Sequence, residues 1–168
     1  MADFDPAYAR MMANEGGYVL TDIPGDKGGQ TYAGIARKRW PEWEGWRQLD
    51  AGETPDTHLV RYFYRDNFWK AIHGDAIQAQ GIAESIFDFA VNAGPATAVK
   101  LAQIVVGAQP DGVVGPKTLT RLNNVDAALF RAAYALAKIA RYRDIVTRDR
   151  TQAKFLLGWI NRTLKEAA

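Results

Sequence analysis

The chain has 168 residues, 48% of them apolar, a formal net charge of +2 and no cysteine. That length supports one domain with a core of its own, while the composition excludes a disulfide scaffold, a thiolate-held metal and a polybasic nucleic-acid arm. No apolar run reaches the ~18 residues needed to span a bilayer, and the opening "MADFDPAYARMMANEGG" carries acids where a secretory leader needs lysines.

In chain order, residues 3 to 14 predict a helix capped by Asp3 or Asp5, with Pro6 in its first turn and Phe4, Tyr8, Met11 and Met12 on one face. Gly16-Gly17 stops it. Residues 16 to 34 are turn-rich, with short β-ribbon pieces expected around Tyr18–Leu20 and Gln30–Gly34. Residues 35 to 40 predict a helical turn ending at Pro41, and "PEWEGWRQLDAGETPD" reads as mixed coil. Helices follow over 56 to 70, 82 to 93, 96 to 106, 117 to 122, 125 to 148 and 151 to 165. Between the third and fourth of these, "GAQPDGVVGPKT" predicts a tight loop whose Val113 and Val114 plug the core. The class is mainly α, with at most a small β element.

Chemistry-bearing residues concentrate in two places. Glu15 falls at the C-terminal end of the first helix, where the helix dipole disfavours a carboxylate, and Met12 and Tyr18 flank it. Both influences favour the protonated form that a general acid uses; the bland alternative is a solvated residue before a glycine stop. Asp22 and Asp26 lie among Pro24, Gly25 and Gly28, where an aspartate also serves simply to make a turn. The loop lacks the ligand spacing of a calcium site. On the helix over 82 to 93, Glu84, Asp88 and Asn92 recur every fourth residue. Asp88 and Asn92 either line a cleft and contact a ligand, or the stripe faces solvent, Asp88 pairs with an internal arginine and Asn92 caps the helix before Gly94. Trp69 and Trp159 read as core, whereas Trp43 and Trp46, on a loop beside charges, could offer rings to a sugar. His58 and His73 are isolated, and no nucleophile motif or metal triad is present.

"EGGYVLTDIPGDKGGQTYAGI", Glu15 to Ile35, resembles the signature of the glycoside hydrolase family 108 muramidases, a family of phage endolysins and secretion activator proteins. Glu15-Gly16-Gly17-Tyr18 and Asp26-Lys27-Gly28-Gly29-Gln30-Thr31 match it; Ala33 replaces the usual aromatic, with Tyr32 beside it. Residues 85 to 122 and 155 to 162 are similar to the peptidoglycan-binding-type region that completes these proteins. The resemblance implies a lysozyme-like single domain with a small β/loop element near the N-terminus, residues 1–84 forming the catalytic part and 85–168 a helical part packed into the same unit. It implies cleavage of the β-1,4 bond between N-acetylmuramic acid and N-acetylglucosamine, with Glu15 as general acid. Asp26, or Asp22 as its rival, would be the second carboxylate and Thr31 the water-holding hydroxyl. Tyr18, Tyr32, Asp88, Asn92, Trp43 and Trp46 are the expected substrate contacts. A glycine-rich loop suits holding a water, which points toward inversion. The expectation is a monomer that needs no metal or cofactor, binds glycan strands rather than nucleic acid, does not insert in the membrane and reaches periplasmic peptidoglycan by holin-type release. A wall-binding or secretion-accessory protein without catalysis is the rival reading; a peptidase or amidase lacks its metal triad or Cys/His pair.

Overall fold

The structure is a computed structural model that describes residues 1–14, 16–21 and 29–167, the side chains of Asn14, Glu166 and Ala167 excepted. Glu15, Asp22 and Asp26 lie outside the described residues.

Helix α1 (Phe4–Asn14) starts where the Asp3 carboxylate accepts a hydrogen bond from the Asp5 amide at 3.0 Å. It ends on two glycines with φ of 82° and 79°, and the Gly17 amide donates back to the Met12 carbonyl at 3.1 Å. Only glycine adopts two such angles in succession without strain, so the chain leaves the helix sharply.

Three two-residue strands follow, β1 (Leu20–Thr21), β2 (Thr31–Tyr32) and β3 (Ile35–Ala36), forming an antiparallel sheet in that order. Thr21 pairs with Thr31, and Tyr32 with Ile35. The turn between β2 and β3 is Ala33-Gly34, with φ of 49° and 80°. Two central residues at positive φ make the hairpin turn whose twist suits adjoining strands. The sequence therefore misleads at residues 35 to 40, which begin with β3 rather than a helix. The turn reverses the chain, and the Arg39 and Trp40 amides then donate to the Ala36 carbonyl at 3.1 and 3.0 Å. The following segment also holds a short helix that composition concealed, α2 (Gly45–Asp50). Arg37 closes this excursion by donating two bonds to the Asp50 carboxylate, at 2.8 and 2.6 Å. That pairing holds the Asp50 carboxyl below its ordinary range.

α3 (Thr57–Tyr64) is capped by Asp56, which accepts from the His58 amide at 2.8 Å, and runs into a π-helical turn over Arg65–Trp69. α4 (Gln80–Ala93) is the central helix: eight of its side chains are buried, from Ile82 to Ala90. α5 (Pro95–Val105), α6 (Pro116–Asn124), α7 (Ala127–Arg148) and α8 (Ala153–Ala167) complete the fold, α5 and α7 packing on α4 and α8 on α7. The core is strongly aromatic, with Phe4, Tyr64, Trp69, Phe87, Phe130 and Tyr134 all enclosed. Each such ring removes apolar surface worth roughly 1.5–3 kcal/mol from water.

The loop between α5 and α6 corrects a second expectation. Val114 is buried, but Val113 is 65% exposed. The interior place belongs to Gln103, whose side chain donates to Asp111 at 2.7 Å and to the Val113 carbonyl at 2.9 Å, and accepts from the Gly112 amide at 2.9 Å. The polar hub satisfies the loop backbone that two valines could not. The Val113 amide and Gln103 also hold the Asp111 carboxyl below its ordinary range.

Gly94, between α4 and α5, has φ 87° and ψ 147°, and a Cβ there would meet nothing within 4 Å. The cost of a side chain is thus backbone strain alone. Gly94→Ala is expected to lower the unfolding free energy by about 1–3 kcal/mol in urea titrations; an unchanged midpoint would show that the junction relaxes freely.

Candidate active site

α1 and α4 lie side by side and run in the same direction. Asp3 and Gln80 bond reciprocally at their starts, the Asp3 amide donating to Gln80 Oε1 at 2.7 Å and Gln80 Nε2 to the Asp3 carbonyl at 2.9 Å. A turn further on, Arg10 donates to Glu84 at 3.2 Å. A shallow depression between the two helices is lined by Ala7, Arg10, Met11, Glu84, Ser85 and Asp88. The polar stripe of α4 thus faces the C-terminal half of α1 as it approaches position 15.

Asp88 is 8% exposed and receives two bonds from Arg162 of α8, Nη2 to Oδ1 at 2.9 Å and Nε to Oδ2 at 3.3 Å. Asn92 donates to the Asp88 carbonyl at 2.7 Å and, at 3.4 Å, to its carboxylate. A carboxylate this enclosed must be paired, and the planar guanidinium matches both its oxygens. Of the two readings the sequence left open for Asp88, the arginine partner is present in the structure. Sequence alone did not name Arg162, because 74 residues separate the pair.

The other expected contacts form an aromatic series. The Tyr18 hydroxyl is hydrogen-bonded to that of Tyr8 at 2.9 Å. Burial first, then this hydrogen bond, pushes the Tyr8 phenol far above its ordinary range. The Tyr32 phenol is also raised, by burial and then by Tyr18. Tyr32 is only 3% exposed and stacks on Trp43, ring centroids 6.0 Å apart. Trp43 in turn meets Trp46 edge-on at 5.2 Å. Trp46 is 2% exposed, its indole N–H donating to the Trp40 carbonyl at 2.9 Å. Tyr32 and Trp46 therefore serve packing in this conformation, while Tyr18 is exposed and Trp43 partly so.

Thr31 precedes Tyr32 on β2, and successive side chains of a strand take opposite faces. With Tyr32 on the Trp43 side, half-buried Thr31 belongs to the other face of the sheet. Among the described residues, no three His, Asp or Glu side chains gather as a metal site would require, and no helix is long and apolar enough to cross a membrane.

A first helix ending on Gly-Gly, a small three-stranded sheet and a buried central helix with more helices packed around it make this a lysozyme-like, mainly α-helical fold. Residues 8–94 match the Glycosyl hydrolase 108 family, and residues 97–164 match a second family described as a predicted peptidoglycan domain. Among solved structures, "Structure of Brucella abortus SagA" is similar with a TM-score of 0.78 and 32% identity, over 98% of this chain and 91% of that one. No curated protein matches the chain by sequence. The chain belongs to the glycosyl hydrolase 108 family and is a peptidoglycan-related glycoside hydrolase.

The Asp88–Arg162 pair ties α8 to α4, with side-chain exposures of only 12% and 29%. Asp88→Asn is expected to cost about 2 kcal/mol, since it leaves a largely enclosed guanidinium without its counter-charge. A double-mutant cycle with Arg162→Met should give a coupling above about 1 kcal/mol; additive effects would deny the pair its structural role.

Proposed function

We propose that the protein is an N-acetylmuramidase, hydrolysing the β-1,4 bond between N-acetylmuramic acid and N-acetylglucosamine in peptidoglycan. Glu15, in its protonated form, donates a proton to the bridging oxygen as the bond to the sugar's anomeric carbon breaks. Asp26, or Asp22 in its place, acts with the Thr31 hydroxyl to hold the water that attacks that carbon and to offset the developing oxocarbenium charge. The water's oxygen ends on the anomeric carbon, and its proton passes to the second carboxylate.

The observation that carries this reading is the motif Glu15-Gly16-Gly17-Tyr18 falling directly after α1, in a chain whose first 94 residues match a glycoside hydrolase family from Tyr8 onward. The end of a helix is where a carboxyl is most readily kept protonated. Asp88, Asn92 and Arg162 then support the floor of the cleft, with Tyr18 at its edge. The biological setting that fits is wall opening, either as an endolysin or for secretion, by a monomer released to the periplasm through a holin-type route.

Glu15→Gln keeps the shape of the side chain and removes its proton. Turbidity clearing of purified cell walls should fall by roughly 10²–10⁴-fold, with circular dichroism and thermal midpoint unchanged. A folded variant that still clears walls at near the parental rate would dismiss Glu15 as the acid. A parental protein that binds walls without cutting them would favour the binding-only reading instead.

A further inference from the structure

On the far side of the sheet from Thr31 lies a groove of about 540 Å³ between the 39–44 segment and α3, walled by Trp40, Trp43, Tyr62 and Phe63. Its volume is that of a small-ligand cleft, ~300–1,000 Å³. We infer that this groove is a second saccharide-binding site, which takes a stretch of the wall's glycan strand away from the catalytic face. The inference rests on the wall being the substrate of this enzyme.

Rings dominate the apolar walls, with Pro41 and Leu59 filling in between them. Trp40 meets Phe63 edge-on at 5.0 Å, and Trp43 meets it at 6.4 Å, so the two indoles are braced from behind. Trp43 is further fixed by Gly45: a Cβ on that glycine would lie 2.2–2.5 Å from its six-membered ring. Tyr62, in contrast, is 64% exposed on the outer surface of α3. Flat, rigid rings with one accessible partner suit the C–H face of a pyranose, which stacks without needing a deep pocket.

The rim is polar and of both signs. Arg39 stands over the Trp40 ring at 5.9 Å, and Glu42, Glu44 and Asn67 line the same groove. A protein partner's apolar helix would strip water from these charges, Glu44 together with its partner Arg47, and offer nothing in return. A glycan strand bearing stem peptides offers hydroxyl and acetamido groups, carboxylates and amines, and complements both signs. One further donor is waiting: among the described residues Trp43 Nε1 is the only buried side-chain N or O atom with no hydrogen-bond partner. Burying an N–H without an acceptor is costly, so the indole gains from any small shift that presents it to a sugar oxygen.

The groove lies on the Tyr32 side of the sheet: Trp43 stacks on Tyr32, whose side chain takes the opposite face from that of Thr31. Holding a strand there keeps the enzyme on an insoluble polymer between cuts by raising the effective concentration of nearby bonds.

The test is a titration of the full-length protein, followed by NMR of its five tryptophan indole N–H signals, with a soluble N-acetylglucosamine trimer and, separately, a wall-derived disaccharide–tetrapeptide. Both probes should shift the Trp40 and Trp43 signals and leave that of buried Trp69 in place. In Tyr62→Ala the apparent affinity at those signals should drop at least 10-fold, while hydrolysis of short soluble glycan fragments stays as in the parent and hydrolysis of intact sacculi falls. Shifts from the peptide fragment alone, no shift at Trp40 and Trp43, or shifts unaltered in Tyr62→Ala would each overturn the proposal. The titration needs no cleavage, so a protein that binds the trimer in this groove but cuts no wall would fail as a muramidase and keep its second site.

Discussion

Three rings hold the first helix where it has to be. Phe4, Trp69 and Phe87 meet one another at 5.6 to 5.8 Å, steeply inclined, and join α1, the π-helical turn and α4 at a single point. All three are enclosed. Gly74 lies so close that a Cβ on it would come within 2.3 Å of the Trp69 ring, so the backbone itself forms one wall of the cluster. Because α1 is anchored at its start, its length of 11 residues sets where its end and the Gly16-Gly17 exit fall.

From this anchor the molecule divides its polar work. The charges of α4 are spent on neighbours: half-buried Glu84 on Arg10, buried Asp88 on Arg162. Through the second of these the C-terminal helix braces the central one, which gives a physical reason for the two matched family regions to act as parts of one enzyme. The sheet then separates two surfaces by simple alternation, with Thr31 on one face and Tyr32 toward Trp43 on the other.

Much of the helical framework was legible in the sequence because it rests on local signals. Asp3 or Asp5, Asp56, Gly16-Gly17 and Gly94-Pro95 mark ends that the structure shares to within a residue or two, and the apolar run from Ile82 reads at once as a buried helix. What escaped rests on contacts between distant residues or on single turn angles. Ala33 at positive φ turns an expected helix into a hairpin, and nothing in an alanine announces that. Gln103 displaces Val113 from the interior through bonds across 8 to 10 residues, and a buried glutamine has no periodic signature. At the candidate site, composition pointed to Trp43 and Trp46 together. Their neighbour Gly45 decides between them: it starts α2 and turns Trp46 inward, while Trp43 remains at the groove. Tyr62, inside the helix expected over 56–70, lines the groove only because α3 faces the 39–44 segment.

We propose that the bond cut is the one following muramic acid. This is tested most directly by digesting purified peptidoglycan, reducing the new ends with borohydride and identifying the amino-sugar alcohol by mass spectrometry. Muramitol, appearing in step with the fall in turbidity, is the result predicted. Glucosaminitol at the new ends, or anhydromuramic acid with no reducible end at all, would contradict it.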